Sequence, residues 1–165
     1  MTHPHGTQHA GPVTLSLVVP VFNEEDSLDG FLLRIRQVFE QETLVELELV
    51  FVNDGSSDTT LERLLHCQQS DSRIRIVDLS RNFGKEAALS AGLQTATGQV
   101  VVPIDVDLQD PPEVILQMIE RWREGFEVVL GHRISRRNDS WAKQTSAGWF
   151  YRLHNKIAEQ SLPEN

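Results

Sequence analysis

The chain has few of the features that mark secreted, membrane-spanning or disulfide-stabilised proteins. Its 165 residues include a single cysteine, Cys67, so an internal disulfide is excluded and a reducing compartment fits. No run approaches the roughly 18 apolar residues that a membrane-spanning helix needs. Residues 1–12 are polar and rich in glycine, proline and histidine, and we expect a disordered tail there rather than a signal peptide.

Two common nucleotide-binding motifs are also missing. No Gly-x-Gly-x-x-Gly follows the first apolar segment, which argues against a dinucleotide-binding fold. Gly84-Lys85 lacks the earlier glycine of a phosphate-binding loop. A bound phosphate would therefore need a metal ion or arginines.

The charge of the chain is uneven. Residues 133–156 contain six basic residues and one acid, a net charge of +5, so the rest of the chain carries −14 of the overall −9. An acidic body does not suit nucleic-acid binding, and no nucleic-acid partner is expected. The basic segment fits either a contact with phosphates or an anionic surface, or a solvated helix face.

Apolar segments of two periodicities alternate along the chain and predict one α/β domain over residues 13–165. Strand-forming runs alternate with segments of helical spacing, which predicts a mostly parallel sheet with helices on both faces. Asp58 is the predicted cap of the second helix. The predicted strands are 14–21, 47–52, 74–79, 99–105 and 126–130, and the predicted helices are 25–40, 58–69, 85–96, 111–123 and 143–159.

Polar motifs follow the strands of this predicted sheet at their carboxyl ends. In parallel sheets ligands bind beyond those ends, so we expect the loops to form one site. The loops contain the segments 20–25, 52–58, 81–85, 105–113 and 131–133.

The fourth of these loops contains the most informative pair of residues. Side chains alternate along a strand, so Asp105 and Asp107 are expected on one face and Val106 in the core. Two neighbouring carboxylates repel unless a cation or a proton lies between them, and a hard divalent ion with oxygen ligands is the simplest remedy. The alternative is a solvated loop of acidic residues.

Four segments together resemble family-2 glycosyltransferases with the GT-A fold. They are 19–25, 52–58, 80–85 and 105–113, with a further match at 131–133 followed by 150–153. The resemblance runs from about residue 14 to residue 165. Its narrowest motif, Asp107-Leu108-Gln109-Asp110-Pro111-Pro112, is similar to the group that transfers a sugar from a nucleotide diphosphate-sugar to a polyprenyl phosphate. That group includes bactoprenol glucosyltransferases and dolichol-phosphate mannose synthases.

The resemblance implies a role for each matching residue. Pro20, Phe22 and Glu24 line the nucleotide pocket, and Asp54 accepts hydrogen bonds from the base. Asp105 lies near the ribose and the ion, and Asp105, Asp107 and Gln109 bind Mg²⁺ or Mn²⁺. Arg133 contacts the diphosphate. The predicted catalytic residues are thus Asp105, Asp107 and Arg133.

Several of these residues also have a plain structural interpretation. Asp54 fits a turn residue before Gly55, and Arg133 fits a surface arginine. Asp110 and Glu113 are expected to cap the helix that follows rather than to touch substrate. Arg81 and Lys85 fit either a contact with the acceptor phosphate or simple solvation.

The implied reaction is an inverting, metal-dependent transfer of a hexose, by analogy glucose from UDP-glucose, to a polyprenyl phosphate. Members of the group continue well beyond a segment like 162–165, so the chain is expected to lack the usual acceptor and membrane region. The implied location of a full-length parent is the cytoplasmic face of the plasma membrane, which it would contact through that missing region. Homo-oligomerisation stays open. The alternatives are a catalytically silent nucleotide-sugar-binding fragment and a sugar nucleotidyltransferase.

Overall fold

Strands and helices alternate along the part of the chain that the structure, a computed structural model, describes: residues 11–131. Each of the eight elements begins within three residues of its predicted start. The predicted tail before residue 11 and the predicted helix at 143–159 lie outside the described residues. The elements are β1 (Val13–Val21), α1 (Leu28–Phe39), β2 (Val45–Asn53), α2 (Thr60–Ser70), β3 (Ile74–Asp78), α3 (Lys85–Thr95), β4 (Val100–Pro103) and α4 (Val114–Arg123).

The four strands form one parallel sheet in the order β3-β2-β1-β4. After β3 the chain crosses β2 and β1 through α3 and adds β4 on the far side of β1. The direction of strand addition therefore reverses between β1 and β4. Ligands of open α/β sheets bind at such a reversal, outside the carboxyl ends of the strands.

Helices cover both faces of the sheet, as predicted. On one face Phe31 of α1 meets Phe51 of β2 edge to face, with ring centroids 5.9 Å apart. On the other face α3 packs on β1 and β2. A Cβ at Gly92 would lie 2.3 Å from Val18 and 2.9 Å from Val52, so only glycine allows this close approach of helix and sheet.

The predicted fifth strand at 126–130 is wrong. In the described part of the chain this segment pairs with no strand, and Val128 is 75% exposed. A β-branched and aromatic run forms a strand only where it finds a ladder partner and a surface to cover.

The strands' amino ends are joined by a cluster that we call the amino-end network: Ser16, Glu48, Arg75 and Thr97. The carboxylate of Glu48 accepts hydrogen bonds from the Ser16 hydroxyl, the Thr97 N–H (3.0 Å) and hydroxyl (2.9 Å), and the Arg75 guanidinium (2.8 Å). Burial alone would raise the pKa of Glu48, but these hydrogen bonds outweigh it and lower that pKa to about 2.

None of the helices between residues 11 and 131 is both long enough and apolar enough to cross a bilayer.

Candidate functional site

A cleft of about 300 Å³ opens at the carboxyl ends of the strands, where the sequence places the polar loops. It is lined by the end of β1 and by the loops after all four strands, and these include six of the eight predicted site residues. Their proposed contacts with a ligand stay predictions. The six are Pro20, Phe22, Glu24, Asp54, Asp105 and Asp107.

The other two predicted residues are not part of the described cleft. Gln109 does not line it, and its backbone N–H donates to Oδ1 of Asp107 at 3.2 Å. Arg133 lies outside the described residues. Lys85, for which a contact with the acceptor phosphate was one alternative, also lines the cleft, as do Asn82, Gly84 and Ala88, which the sequence did not single out.

The loop after β1 is fixed by the loop after β2. Asn23 adopts a left-handed backbone conformation (φ 55°), and its Oδ1 accepts the N–H of Ser57 at 2.8 Å. Its own N–H donates to Oγ of Ser56 at 3.0 Å. Asparagine tolerates this conformation better than most residues. Asn23 therefore supports the cleft by shaping its wall.

A second pair of contacts joins the same two loops. The carboxylate of Glu25 accepts the N–H (2.9 Å) and hydroxyl (2.5 Å) of Thr59, and these bonds lower its pKa. In return Asp58 accepts the N–H of Glu25 at 3.3 Å and that of Thr60, the first residue of α2, at 3.0 Å. Burial opposes ionisation of Asp58, but the hydrogen bonds from Thr60 and Glu25 lower its pKa overall. Asp58 thus bonds the first N–H of α2, but the predicted cap is off by one residue, because the cap position itself is occupied by Thr59.

Asp54 connects the loop after β2 to the loop after β3. Its side chain is 3% exposed, and its two carboxylate oxygens accept the N–H groups of Phe83 (2.7 Å) and Gly84 (2.9 Å). Gly55 follows with φ 69°, and a Cβ there would lie 2.4 Å from the backbone of Arg81. Asp54 lines the cleft and also has this structural role, so a bond to a base would use its remaining lone pairs.

Asp105 and Asp107 follow β4 instead of ending it, which corrects the predicted strand 99–105. The strand ends at Pro103 because the chain turns at Val106-Asp107, and Leu108 adopts φ 54°. The predicted orientations nevertheless hold: Val106 is buried in the core, and both aspartates are exposed.

A lysine pairs with the first of these aspartates. The Lys85 ammonium lies 2.6 Å from Oδ1 and 2.8 Å from Oδ2 of Asp105. The side chains are 63% and 54% exposed. Lys85 therefore supplies one positive charge to the aspartate pair, and the divalent ion stays a prediction. The largely exposed Lys85 side chain thus has a partner that the sequence did not predict.

Two other charged residues of the segments 80–85 and 105–113 have structural contacts. The Arg81 guanidinium lies over the Phe83 ring, 4.5 Å from its centroid, in a cation–π contact. Glu113 forms an ion pair with Arg34 of α1 and makes no side-chain cap on α4, so its predicted capping role is wrong. This ion pair instead joins the start of α4 to α1.

The carboxylates of the cleft suit a small divalent ion only in combination with a ligand. Between residues 11 and 131 no group of three or more His, Cys, Asp or Glu side chains is placed to hold a metal. Mg²⁺ commonly binds through one or two carboxylates, with water and substrate phosphates as its other ligands. Asp105 and Asp107 provide two hard oxygen donors at one rim of the cleft, and this donor set fits that mode.

Comparison with known proteins identifies the family to which the chain belongs. The model described as Glycosyl transferase family 2 matches residues 16–165. An uncharacterized glycosyltransferase of Synechocystis is 46% identical over 153 residues, 93% of this chain and 48% of the relative. A prophage bactoprenol glucosyl transferase homolog of Escherichia coli is 48% identical over 151 residues, 92% of this chain and 49% of the relative. The chain spans about half the length of the curated relatives it matches.

Solved structures share the fold. A mannosyltransferase of Pyrobaculum calidifontis, in complex with GDP-Man and Mn²⁺, aligns with a TM-score of 0.57 and 25% identity over 68% of this chain and 33% of its own. Residues 1–349 of S. aureus TarS align with a TM-score of 0.58 and 22% identity, over 74% of this chain and 38% of that one. The predicted GT-A-like α/β domain is confirmed.

Proposed function

Because the chain belongs to glycosyl transferase family 2, we propose that it is the donor-binding part of an enzyme that moves a hexose from a nucleotide diphosphate-sugar to a polyprenyl phosphate. One observation supports this most directly. The exposed aromatic ring of Phe22 and the carboxylates of Asp105 and Asp107 line a single cleft at the reversal point of the sheet. A flat ring suits a base, and carboxylates suit an ion that accompanies a diphosphate.

The names of the relatives support a choice of donor and acceptor. Several that are 48% identical to this chain are bactoprenol glucosyl transferases. We therefore favour UDP-glucose as donor and a polyprenyl phosphate as acceptor. A lipid acceptor implies that the full-length protein works at a membrane surface, and we place it at the cytoplasmic face, where nucleotide sugars are found.

Asp105 and Asp107 are the proposed protein ligands of Mg²⁺ or Mn²⁺, with Gln109 as a third. The neighbour from Pyrobaculum calidifontis contains Mn²⁺ together with its nucleotide sugar, which supports the use of a divalent ion. When bound, such an ion neutralises charge on the diphosphate of the leaving nucleotide. Gln109 needs a change of the loop after Leu108 to reach the cleft, so Asp105 and Asp107 are the stronger assignments.

The proposed step is an in-line displacement with inversion. An oxygen of the lipid phosphate forms a bond to the anomeric carbon, the bond from that carbon to the diphosphate oxygen breaks, and the nucleoside diphosphate leaves with the electron pair. The second pKa of a phosphate monoester is about 6, so the nucleophile is largely ionised near neutral pH and needs no protein base. The protein's task is then to bind and orient, with Phe22, Asp54 and Glu24 at the nucleoside and Arg133 at the diphosphate.

A silent nucleotide-sugar-binding fragment is the second candidate, because the chain spans about half the length of its relatives. It predicts donor binding without transfer. A sugar nucleotidyltransferase is disfavoured by the family match.

The test is a calorimetric titration of the full chain with UDP-glucose and GDP-mannose, each with and without Mn²⁺. We expect UDP-glucose to bind in the presence of Mn²⁺, and Asp107→Ala to abolish that metal-dependent binding. Glu124→Ala, which removes an exposed acid directly after α4, is the control and is expected to bind as the unmodified chain does. Metal-dependent binding that survives Asp107→Ala would reject the site.

A second assay separates the enzyme from the silent fragment. Transfer of labelled glucose to a polyprenyl phosphate in detergent supports the enzyme. Donor binding without any transfer supports the fragment.

A further inference from the structure

The Lys85–Asp105 ion pair occupies the position in the cleft where a divalent ion is proposed to bind. The ammonium contacts both carboxylate oxygens, at 2.6 and 2.8 Å, and so covers the oxygens that a metal would use. Asp107, the other proposed ligand, lines the same cleft.

Fold stability does not explain why a lysine occupies this position, because Lys85 stabilises neither the helix nor, through its ion pair, the fold. Lys85 is the first residue of α3, where the partial positive charge of the helix end disfavours a cation. Both side chains of the pair are more than half exposed, and exposed ion pairs stabilise a fold very little. The pair is therefore easily broken, and its cost to the helix points to a role in binding.

We propose that Lys85 competes with the metal ion for Asp105 and moves to the donor's diphosphate when the ion binds. This inference rests on the proposed function. A divalent ion at these two oxygens would bring two cations to contact distance, and their repulsion favours displacement of the ammonium. The diphosphate then offers the displaced charge a new partner within the same cleft. Metal and donor consequently bind cooperatively, and the metal alone binds weakly.

The inference predicts a gain of metal affinity when the lysine is removed. In Lys85→Met, Mn²⁺ alone is expected to bind about fivefold tighter than in the unmodified chain, the factor that corresponds to one exposed ion pair. UDP is expected to increase Mn²⁺ affinity less in this variant than in the unmodified chain, because the variant has no lysine ammonium that could move to the diphosphate. The electron paramagnetic resonance signal of free Mn²⁺ measures both quantities.

Two further variants serve as controls. Arg121→Met removes a positive charge of equal exposure, 63%, from the surface of α4 and is expected to leave Mn²⁺ affinity unchanged. Lys85→Arg keeps a cation that pairs with Asp105 and is expected to retain the weak binding of metal alone.

The outcomes distinguish this inference from the proposed function. If Mn²⁺ binds with UDP and is lost in Asp105→Asn, while Lys85→Met leaves the affinity for Mn²⁺ alone unchanged, the competition is disproved and the metal site stands. If Mn²⁺ does not bind the unmodified chain even with UDP, the proposed metal-dependent function fails as well.

A measurement on the unmodified chain avoids any effect of substitution on folding. An amine that is bound to two carboxylate oxygens is less available for acylation than a free one. Saturating Mn²⁺ alone is expected to raise the labelling rate of Lys85 several-fold, and added UDP is expected to lower it again. A labelling rate that ignores Mn²⁺ would overturn the inference.

Discussion

The two ends of the sheet use carboxylates in opposite ways. In the amino-end network Glu48 is 17% exposed and accepts four hydrogen bonds from three side chains and one backbone N–H. In the cleft at the carboxyl end, Asp105 is 54% exposed and pairs with one flexible ammonium. One carboxylate is fully used by the protein, and the other keeps oxygens available for exchange.

This difference separates a residue that stabilises the fold from one that is suited to bind a ligand. A carboxylate saturated with donors loses little by leaving water and gains several charge-assisted hydrogen bonds. An exposed carboxylate with a single exchangeable partner contributes little to stability, but it can take a new cation without breaking the structure. Position in the cleft alone does not determine which of these two roles a carboxylate has. Asp54 lies in the cleft, and yet its two oxygens accept backbone N–H groups.

The largest expected effect comes from removing the saturated carboxylate. Glu48→Ala leaves the Arg75 guanidinium and the donors of Ser16 and Thr97 without their acceptor, which costs about 3 kcal/mol of unfolding free energy. The matched change in the cleft, Asp105→Ala, is expected to cost less than about 1 kcal/mol. Urea denaturation of both variants measures the two losses.

Equal losses in the two variants would remove the distinction between the two ends. A folded Glu48→Ala whose midpoint is unchanged would show that the amino-end network contributes nothing to stability.

The next effect is a loss of stability in acid. The pKa of Glu48 is lowered to about 2, so its contribution is fully present above its unfolded pKa, about 4.3, and is lost as pH falls toward 2. Glu25, Asp58 and Asp71 have lowered pKa values and act in the same direction. After solvent screening we expect about 2 kcal/mol from Glu48 between pH 5 and pH 2.

Chemical denaturation at a series of pH values checks this acid dependence. Glu48→Gln has no carboxyl group to titrate, so its stability is expected to fall less over the same interval, by about the contribution of Glu48. If the free energy of unfolding of Glu48→Gln falls with pH as steeply as that of the unmodified chain, the acid dependence belongs to other groups.

The cleft was predictable because its residues are local to strand ends. Alternation of strands and helices placed the polar loops after the four described strands at one edge, and six predicted residues lie in the cleft as a result. The hydrogen bond from the start of α2 to Asp58 also depends on neighbours in sequence, although the helix begins one residue later than a cap at Asp58 implies. Rules of this kind need only periodicity and the direction of parallel strands.

The contacts that distinguish the two ends were not predictable. Glu48 meets Ser16 and Thr97 across 32 and 49 residues, and Lys85 meets Asp105 across 20. No local pattern encodes such pairs, because they depend on strand register and on where α3 begins. The strand predicted at 126–130 is wrong for the converse reason: its composition favours a strand, but it pairs with no described strand.

The smallest expected effect on stability, with a clear effect on binding, comes from the aromatic wall of the cleft. Phe22 and Phe126 are both 45% exposed, but only Phe22 lines the cleft. Changing either to alanine removes a similar buried area, somewhat over half of the residue, and is expected to cost about 1.5 kcal/mol in both variants. If Phe22 stacks on the base, Phe22→Ala weakens UDP binding about tenfold, whereas Phe126→Ala leaves it unchanged.

Calorimetric titration with UDP in the presence of Mn²⁺ measures the UDP affinity of the two variants, and thermal unfolding checks that both are folded. A loss of affinity in Phe22→Ala, with the same Tm as Phe126→Ala, means that the Phe22 ring contributes to binding beyond its packing. That is the behaviour already expected of Asp105 and Asp107. Equal affinities in the two variants would place the base elsewhere, and the remaining wall near Asn82 and Ala88 would then be the next surface to test.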